Sequence, residues 1–303
     1  MKIFVAGASG FVGEPVVRDL LSAGHEVIAL AHSLQSVEAL KSIHPGLAAV
    51  AGDVANRDAM LRAVPYGTEA IVYLPGLLRE FPKKGLTFRA VHVEGVRNLL
   101  AAAKQATAIR WVQMSALGAD SNPTIEYYRT KFEAEELVKA SGLGWTILRP
   151  SLIFDDRPRR QHSFVSEVTK AIRSAPFIPI LGNGNFLLQP VSVEDVSKTI
   201  IESLTKPETM GKIYEMGGPE KLTYREIVLT IARAMGSKKP AVSIPLSAIL
   251  FAARLFGRFP WFPITADQIL MLKNGNFVHD SNEDRIWRET FNLPLKRFSD
   301  KNK

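Results

Sequence analysis

Three glycines spaced three apart, in Gly7-Ala8-Ser9-Gly10-Phe11-Val12-Gly13, constrain this chain more than any other feature. They follow the apolar run Ile3-Phe4-Val5-Ala6. After them Val12, Val16, Val17, Leu20 and Leu21 recur at helical spacing, and Gly24 ends the pattern. The first run reads as a buried strand and the second as one face of a helix. A glycine where the strand ends permits a tight turn, and one facing a ligand lets a pyrophosphate approach the backbone. The third lets helix and strand pack closely. The helix N-terminus adds N–H groups and the positive end of a dipole. Three glycines alone are a weak signal; placed between strand and helix they are a specific one. Gly7, Ser9, Gly10, Phe11, Val12 and Gly13 are therefore the expected phosphate-binding residues of a dinucleotide site.

The same rhythm continues through the first half. Val27–Leu30, Ala48–Ala51, Ala70–Leu74, Trp111–Met114 and Trp145–Leu148 are strand-like, with helical patterns at Val91–Ala103 and Glu126–Ala140. Continuous apolar strands separated by helices imply a parallel sheet covered on both faces. The expected class is α/β: a Rossmann-type doubly wound parallel sheet with a smaller, interleaved C-terminal α+β lobe. After Pro150 the pattern breaks. A helix is expected through Phe164, Val165, Val168 and Ile172, a turn at Gly182–Asn185, and an N-cap at Ser192. Ile213–Met216 reads as a strand returning to the main sheet, and Thr223/Glu226 and Thr265/Gln268 as capping boxes. Residues 1–153 are assigned to the nucleotide domain, with 191–217 returning to it, and 154–190 with 218–303 to the lobe for substrate or partner.

Composition removes several chemistries. With no cysteine in 303 residues, disulfides, thiolate metal sites, iron–sulfur clusters and cysteine nucleophiles are excluded, and no metal site is expected. The net charge of +8 comes without a dense basic block interleaved with aromatics, so no nucleic-acid partner is expected. No long apolar stretch follows Lys2, and Ala248–Phe256 is broken by Arg254 and falls short of the roughly 20 residues a membrane span needs. A cytoplasmic protein is expected, with contact at the inner face of a membrane left open.

Dinucleotide choice is read where the second strand ends. An acidic residue there would favour NAD, but this chain has Leu30-Ala31-His32-Ser33. His32 and Ser33 can donate to a 2′-phosphate, so NADP is expected, with NAD the alternative.

Further motifs carry a family resemblance. Gly52-Asp53-Val54, the YxxxK pattern Tyr127-Tyr128-Arg129-Thr130-Lys131, Arg149-Pro150-Ser151, Gln189–Val196 and Gly217-Gly218-Pro219 resemble the short-chain dehydrogenase/reductase superfamily in its extended and atypical branches. Val93–Leu99, Met114–Ala119 and Thr265–Asn276 are most similar to bacterial proteins resembling the nucleotide-binding accessory subunit of respiratory complex I, with NmrA-like redox sensors more distant. The resemblance implies that Asp53 and Val54 meet the adenine, that Pro150 lies beside the cofactor, and that Tyr127 is the general acid/base. Lys131, one helical turn on, would lower the Tyr127 pKa and hold the ribose.

Two departures weaken that chemistry. Ala116 aligns with the hydroxyl residue that polarises a substrate carbonyl; a one-residue slip would give Ser115 the role. His92 stands where the family has an Asn, either as its replacement or as a satisfied structural histidine. The basic loop Arg157-Pro158-Arg159-Arg160 is either an anion clamp, a contact for anionic lipid headgroups or a solvated loop. The segment Ser247–Phe259 with Arg254, Arg258 and Pro260-Trp261-Phe262-Pro263 is either a membrane-facing surface, the wall of an apolar pocket or a packed helix. Three functions remain: an NADP-dependent oxidoreductase acting on an isoprenoid or quinone-like molecule, a nucleotide-holding assembly factor, stability factor or redox sensor, and, disfavoured by Ala116, a sugar-nucleotide epimerase or dehydratase. An apolar small molecule or a membrane-bound partner is expected, and the oligomeric state is left open.

Overall fold

The computed structural model describes residues 1–121, 124–155, 163–257, 259, 262 and 264–302. In chain order the elements begin with β1 (Lys2–Ala6), α1 (Gly13–Ser22), β2 (Glu26–Ala31), α2 (Leu34–Ile43), β3 (Ala48–Ala51), α3 (Arg57–Ala63) and β4 (Ala70–Tyr73). A π-helical turn (Arg89–Glu94) leads into α4 (Gly95–Ala106), followed by β5 (Arg110–Met114), α5 (Glu126–Lys139), β6 (Gly144–Pro150) and β7 (Ile153–Phe154). Next come α6 (Phe164–Ser174), β8 (Ile178–Leu181), β9 (Leu187–Leu188), β10 (Val191–Ser192), α7 (Val193–Thr205) and β11 (Lys212–Met216). The chain ends through β12 (Leu222–Thr223), α8 (Tyr224–Ala234), β13 (Ala241–Ile244), α9 (Leu246–Phe256), α10 (Ala266–Lys273) and α11 (Ser281–Phe291).

Two compact units result. The first comprises 1–149, 196–215 and 289–291, and the second 150–195, 216–288 and 292–303. The short return of 289–291 to the first unit has no counterpart in the sequence reading, because three residues carry no period.

The main sheet has the order β11-β6-β5-β4-β1-β2-β3, with β1 to β6 parallel. The order reverses between β1 and β4, and open parallel sheets bind ligands in the crevice beyond the carboxyl ends at such a switch point. Register brings Ala6 opposite both Leu30 and Tyr73, so the chain leaves three neighbouring strands side by side just before the glycine loop. Phe4, Ile28, Leu30, Met60, Leu99, Trp111, Val138 and Ile147 form the core of this unit. The second unit packs Phe154, Ile172, Ile180, Ile227, Ile231 and Phe298 around its own centre.

The fourth helix departs from the expected regular start. Over Arg89–Glu94 it is a π-helix. The buried Tyr73 hydroxyl donates to the Val91 carbonyl. A Cβ at Gly95 would lie 2.2 Å from that hydroxyl, so the glycine admits the tyrosine and the widened turn frees a carbonyl for it.

A candidate nucleotide site

The three glycines do three different things. Gly7 has φ +77°, a left-handed conformation, and a Cβ there would sit 3.1 Å from the Pro75 nitrogen. A Cβ on Gly13 would sit 2.1 Å from the Gly7 carbonyl oxygen, so α1 can approach β1 only with glycine at that place. At Gly10 the sole close atom among the described residues is the same oxygen, at 3.1 Å, and the position is exposed. The loop is held by Ala8 N–H to Leu30 O (3.1 Å), Gly10 N–H to Gly7 O (3.0 Å) and Glu14 N–H to Gly10 O (3.2 Å). Ser9 is exposed, and Phe11 and Val12 are half-buried at the head of α1. The valine side chain supplies no cap, which suits a helix end that meets a phosphate.

The residues expected at the adenosine end leave β2 and β3. His32 is exposed, while Ser33 caps α2 by accepting from the Ser36 N–H (3.2 Å). Asp53 is exposed and accepts from the Ala55 N–H (2.9 Å). The Val54 carbonyl accepts from Asn98 Nδ2 (3.0 Å). Pro150 is the buried last residue of β6.

Tyr127 and Lys131 lie on α5 one turn apart, both buried. Lys131 is 3 % exposed, and its Nζ donates to Met114 O (3.1 Å) at the last residue of β5 and to Pro75 O (3.5 Å) just beyond β4. Burial lowers it to about 8, with Glu135 opposing. The Tyr127 ring is enclosed edge-on by Tyr128 (5.5 Å), His92 (5.4 Å) and Phe88 (5.8 Å). Burial, then Tyr128, pushes its hydroxyl well above the usual phenol range. Desolvation of the ring is the larger cause of that rise, and the Lys131 protons are directed to backbone carbonyls.

Ser115 is also elsewhere engaged. Its hydroxyl donates to Glu135, which is fully buried and held by Arg149 through two bonds (2.9 and 2.7 Å); Arg149 reaches on to Glu215 (3.7 Å). This is a buried ion-pair cluster between α5 and β6, and Ser115 belongs to it. Ala116 follows as a buried apolar residue. His92 proves to be a satisfied histidine. Its Nε2 accepts from the Leu77 N–H (3.2 Å) and its Nδ1 pairs with Thr130 Oγ1 (2.9 Å).

Sequence reasoning missed Pro75 and Gly76, which pack against Gly7 and Lys131: a Cβ on Gly76 would be 3.4 Å from the Lys131 nitrogen. The signal was a proline–glycine pair immediately after a strand. The loop Arg157–Arg160 and residues Arg258, Pro260, Trp261 and Pro263 lie outside the described residues. Helix α9 buries Ala253, leaves Ile249, Leu250 and Ala252 half-buried, and exposes Phe251 (67 %), Leu255 (49 %) and Phe256 (41 %). Among the described residues no group of His, Asp and Glu could hold a metal ion, and no helix is long and apolar enough to cross a membrane.

A family model described as NAD(P)H-binding matches residues 7–207. The chain is 26 % identical over 269 residues to the mitochondrial NADH-ubiquinone oxidoreductase 40 kDa subunit of Neurospora crassa, covering 88 % of this chain and 68 % of that protein. It is 22 % identical over 294 residues to the photosystem II assembly factor Ycf39 of Trieres chinensis, covering 97 % and 86 %. A dTDP-glucose 4,6-dehydratase from Streptomyces venezuelae, solved with NAD bound, shares the fold at a TM-score of 0.67 and 22 % identity over 81 % of this chain and 84 % of that one. The Rossmann fold and the resemblance to complex I accessory subunits expected from the sequence are both borne out, and the chain belongs to the NAD(P)H-binding family.

Proposed function

We propose that this protein holds NADP as a lasting structural cofactor and serves the assembly or stability of a membrane-bound complex, with little turnover of its own. The observation that carries the reading is the enclosure of Tyr127. A general acid must reach the substrate and share its proton near neutral pH. Tyr127 is shut in by three rings and pushed away from that range, and Ala116 supplies no second hydroxyl. The close approaches at Gly7 and Gly13 and the open space at Gly10 support a loop that receives a phosphate all the same. The names of the relatives, a respiratory complex subunit and a photosystem assembly factor, fit a nucleotide that is held to stabilise the fold.

NADP is preferred over NAD in this reading because the end of β2 carries no carboxylate. Exposed His32 and the head of α2, whose first turn has no acidic residue, face a 2′-phosphate favourably. The partner side is assigned to the second unit. Between Glu226 and Asp267 the sequence has no carboxylate side chain and five basic ones, and within it α9 carries Arg254 together with the exposed Phe251, Leu255 and Phe256. Such a surface suits the anionic face of a bilayer around a membrane complex.

Mass spectrometry of gently purified protein should find NADP(H). Calorimetric titration should give tighter binding of NADPH than NADH, and the difference should shrink in His32→Ala. Incubation of the NADPH-loaded protein with short-chain quinones should leave the 340 nm absorbance unchanged. Quinone-dependent oxidation that Tyr127→Phe abolishes would replace this reading with the oxidoreductase acting on an apolar substrate.

A further inference from the structure

His92 stands where the resembled family has an asparagine, and both of its ring nitrogens are engaged within the protein. It is 1 % exposed and lies in the π-helical turn before α4. It stacks on Phe88 (centroids 5.6 Å apart, 17° between planes) and meets Tyr127 edge-on at 5.4 Å. The hydrogen-bond inventory fixes its tautomer. The Leu77 N–H can only donate, so Nε2 accepts and carries no proton. A neutral ring then has its proton on Nδ1, which donates to Thr130 Oγ1. The threonine hydroxyl donates onward to the carbonyl of Glu126 (3.0 Å) or Tyr127 (3.1 Å) in the first turn of α5.

The two ends of this relay matter because of what they touch. Leu77 closes the segment Pro75-Gly76-Leu77. Pro75 packs against Gly7 of the glycine loop, and its carbonyl accepts from Lys131. We propose that His92 is the positioning residue of the nucleotide site: it ties the loop after β4, which supports the glycine loop and Lys131, to the helix that carries Tyr127. The inference rests on the reading of this edge as the NADP site and deepens it. A protonated ring would set a second N–H against that of Leu77. The enclosure, with the Lys131 ammonium nearby, keeps the imidazole neutral well below its ordinary range.

Replacements divide the relay. His92→Gln can reach Leu77 with its carbonyl oxygen, His92→Asn can reach Thr130 with its amide, and His92→Phe keeps the stack and loses both bonds. Three readouts are needed. In nucleotide-free protein labelled with nitrogen-15 in histidine, the His92 ring should show an unprotonated Nε2 and a protonated Nδ1, and should stay so when exposed histidines have become protonated. NADPH affinity by calorimetry should fall at least on the order of tenfold in His92→Phe, which loses both buried hydrogen bonds, and recover to within about twofold in His92→Gln, which restores the one to Leu77. The Leu77 amide should lose exchange protection in His92→Phe and keep it in His92→Gln. A folded His92→Phe with wild-type affinity, or a wild-type ring protonated on Nε2, overturns the proposal. If His92→Phe fails to fold, the wild-type ring spectrum and His92→Gln still decide. If the wild-type protein binds no NADPH while the ring spectrum is as described, the nucleotide reading has failed, and with it the assignment of His92 to that site.

Discussion

At the glycine loop a single methyl group has three different costs. At Gly13 it would collide with backbone that cannot move aside, and at Gly7 it would meet Pro75 in a left-handed conformation. At Gly10 it would meet one carbonyl oxygen and otherwise enter exposed space. Gly10→Asp should therefore fold with a near-wild-type melting curve and lose NADPH binding, because its carboxylate would occupy the space nearest the two phosphates; unchanged affinity would count against the site. Lys131 allows a second test at this scale. Its folded pKa of about 8 lies below the value of about 10.4 expected for an unfolded lysine. Between those values the unfolded chain binds more protons, so stability rises with pH. The raised Tyr127 and Tyr128 act in the opposite direction above about pH 10, which limits the window to pH 8–10. Urea unfolding of nucleotide-free protein across that window should show a rise that Lys131→Met lacks. Parallel curves for the two proteins would contradict the buried ammonium.

Elements differ in how far their sequence discloses them. The strands of the first unit and its helices α1, α4, α5 and α7 were legible because buried parallel strands are continuously apolar and those helices keep a 3.6-residue period, whereas α2 and α3 were not read. The π-turn at Arg89–Glu94 was not legible, since its cause is Tyr73, sixteen residues before the turn and on another element. The glycine loop and the Tyr127/Lys131 pair are local patterns and could be read. The engagement of Ser115 by Glu135 and Arg149 joins three elements and could not. Arg110 is another such case. It opens β5 and is 1 % exposed. Its guanidinium donates to Ser203 O near the end of α7, to Thr146 Oγ1 on β6 and to Thr209 Oγ1 (2.9 Å). Burial lowers it to about 10. The acceptors are neutral, so the charge is held by carbonyl and hydroxyl dipoles. Arg110→Ala would leave them unsatisfied inside the unit and should cost about 1–3 kcal/mol for each acceptor that finds no new partner, read as a lower urea midpoint with the same slope. A loss under about 1 kcal/mol would mean that water replaces the guanidinium.

On the scale of the whole molecule, charge and apolar exposure are unevenly distributed along the chain. The net charge is +8, yet the stretch from Glu226 to Asp267 has no carboxylate between its ends, and α9 within it turns Phe251, Leu255 and Phe256 to solvent. Phe251 and Leu255 are four residues apart and Phe256 follows, so the three share a helical face about 140° wide, with Arg254 at its border. Burying such side chains yields about 25 cal/mol per Å² of apolar surface, and each basic group near an anionic membrane adds about 1 kcal/mol. The apolar part is indifferent to salt and the basic part is screened. Binding to vesicles containing phosphatidylserine should therefore weaken from 50 to 500 mM salt without vanishing, and binding to neutral vesicles should be weaker at low salt. Phe251→Asp with Leu255→Asp places two carboxylates on exposed positions of α9, where the fold has little to lose. Co-sedimentation of this variant should fail at every salt concentration while its NADPH affinity stays unchanged, because the glycine loop belongs to the other unit. Retained sedimentation would remove α9 as the membrane contact. Loss of binding in both wild type and variant at 50 mM salt would leave the apolar face to a protein partner within the membrane complex.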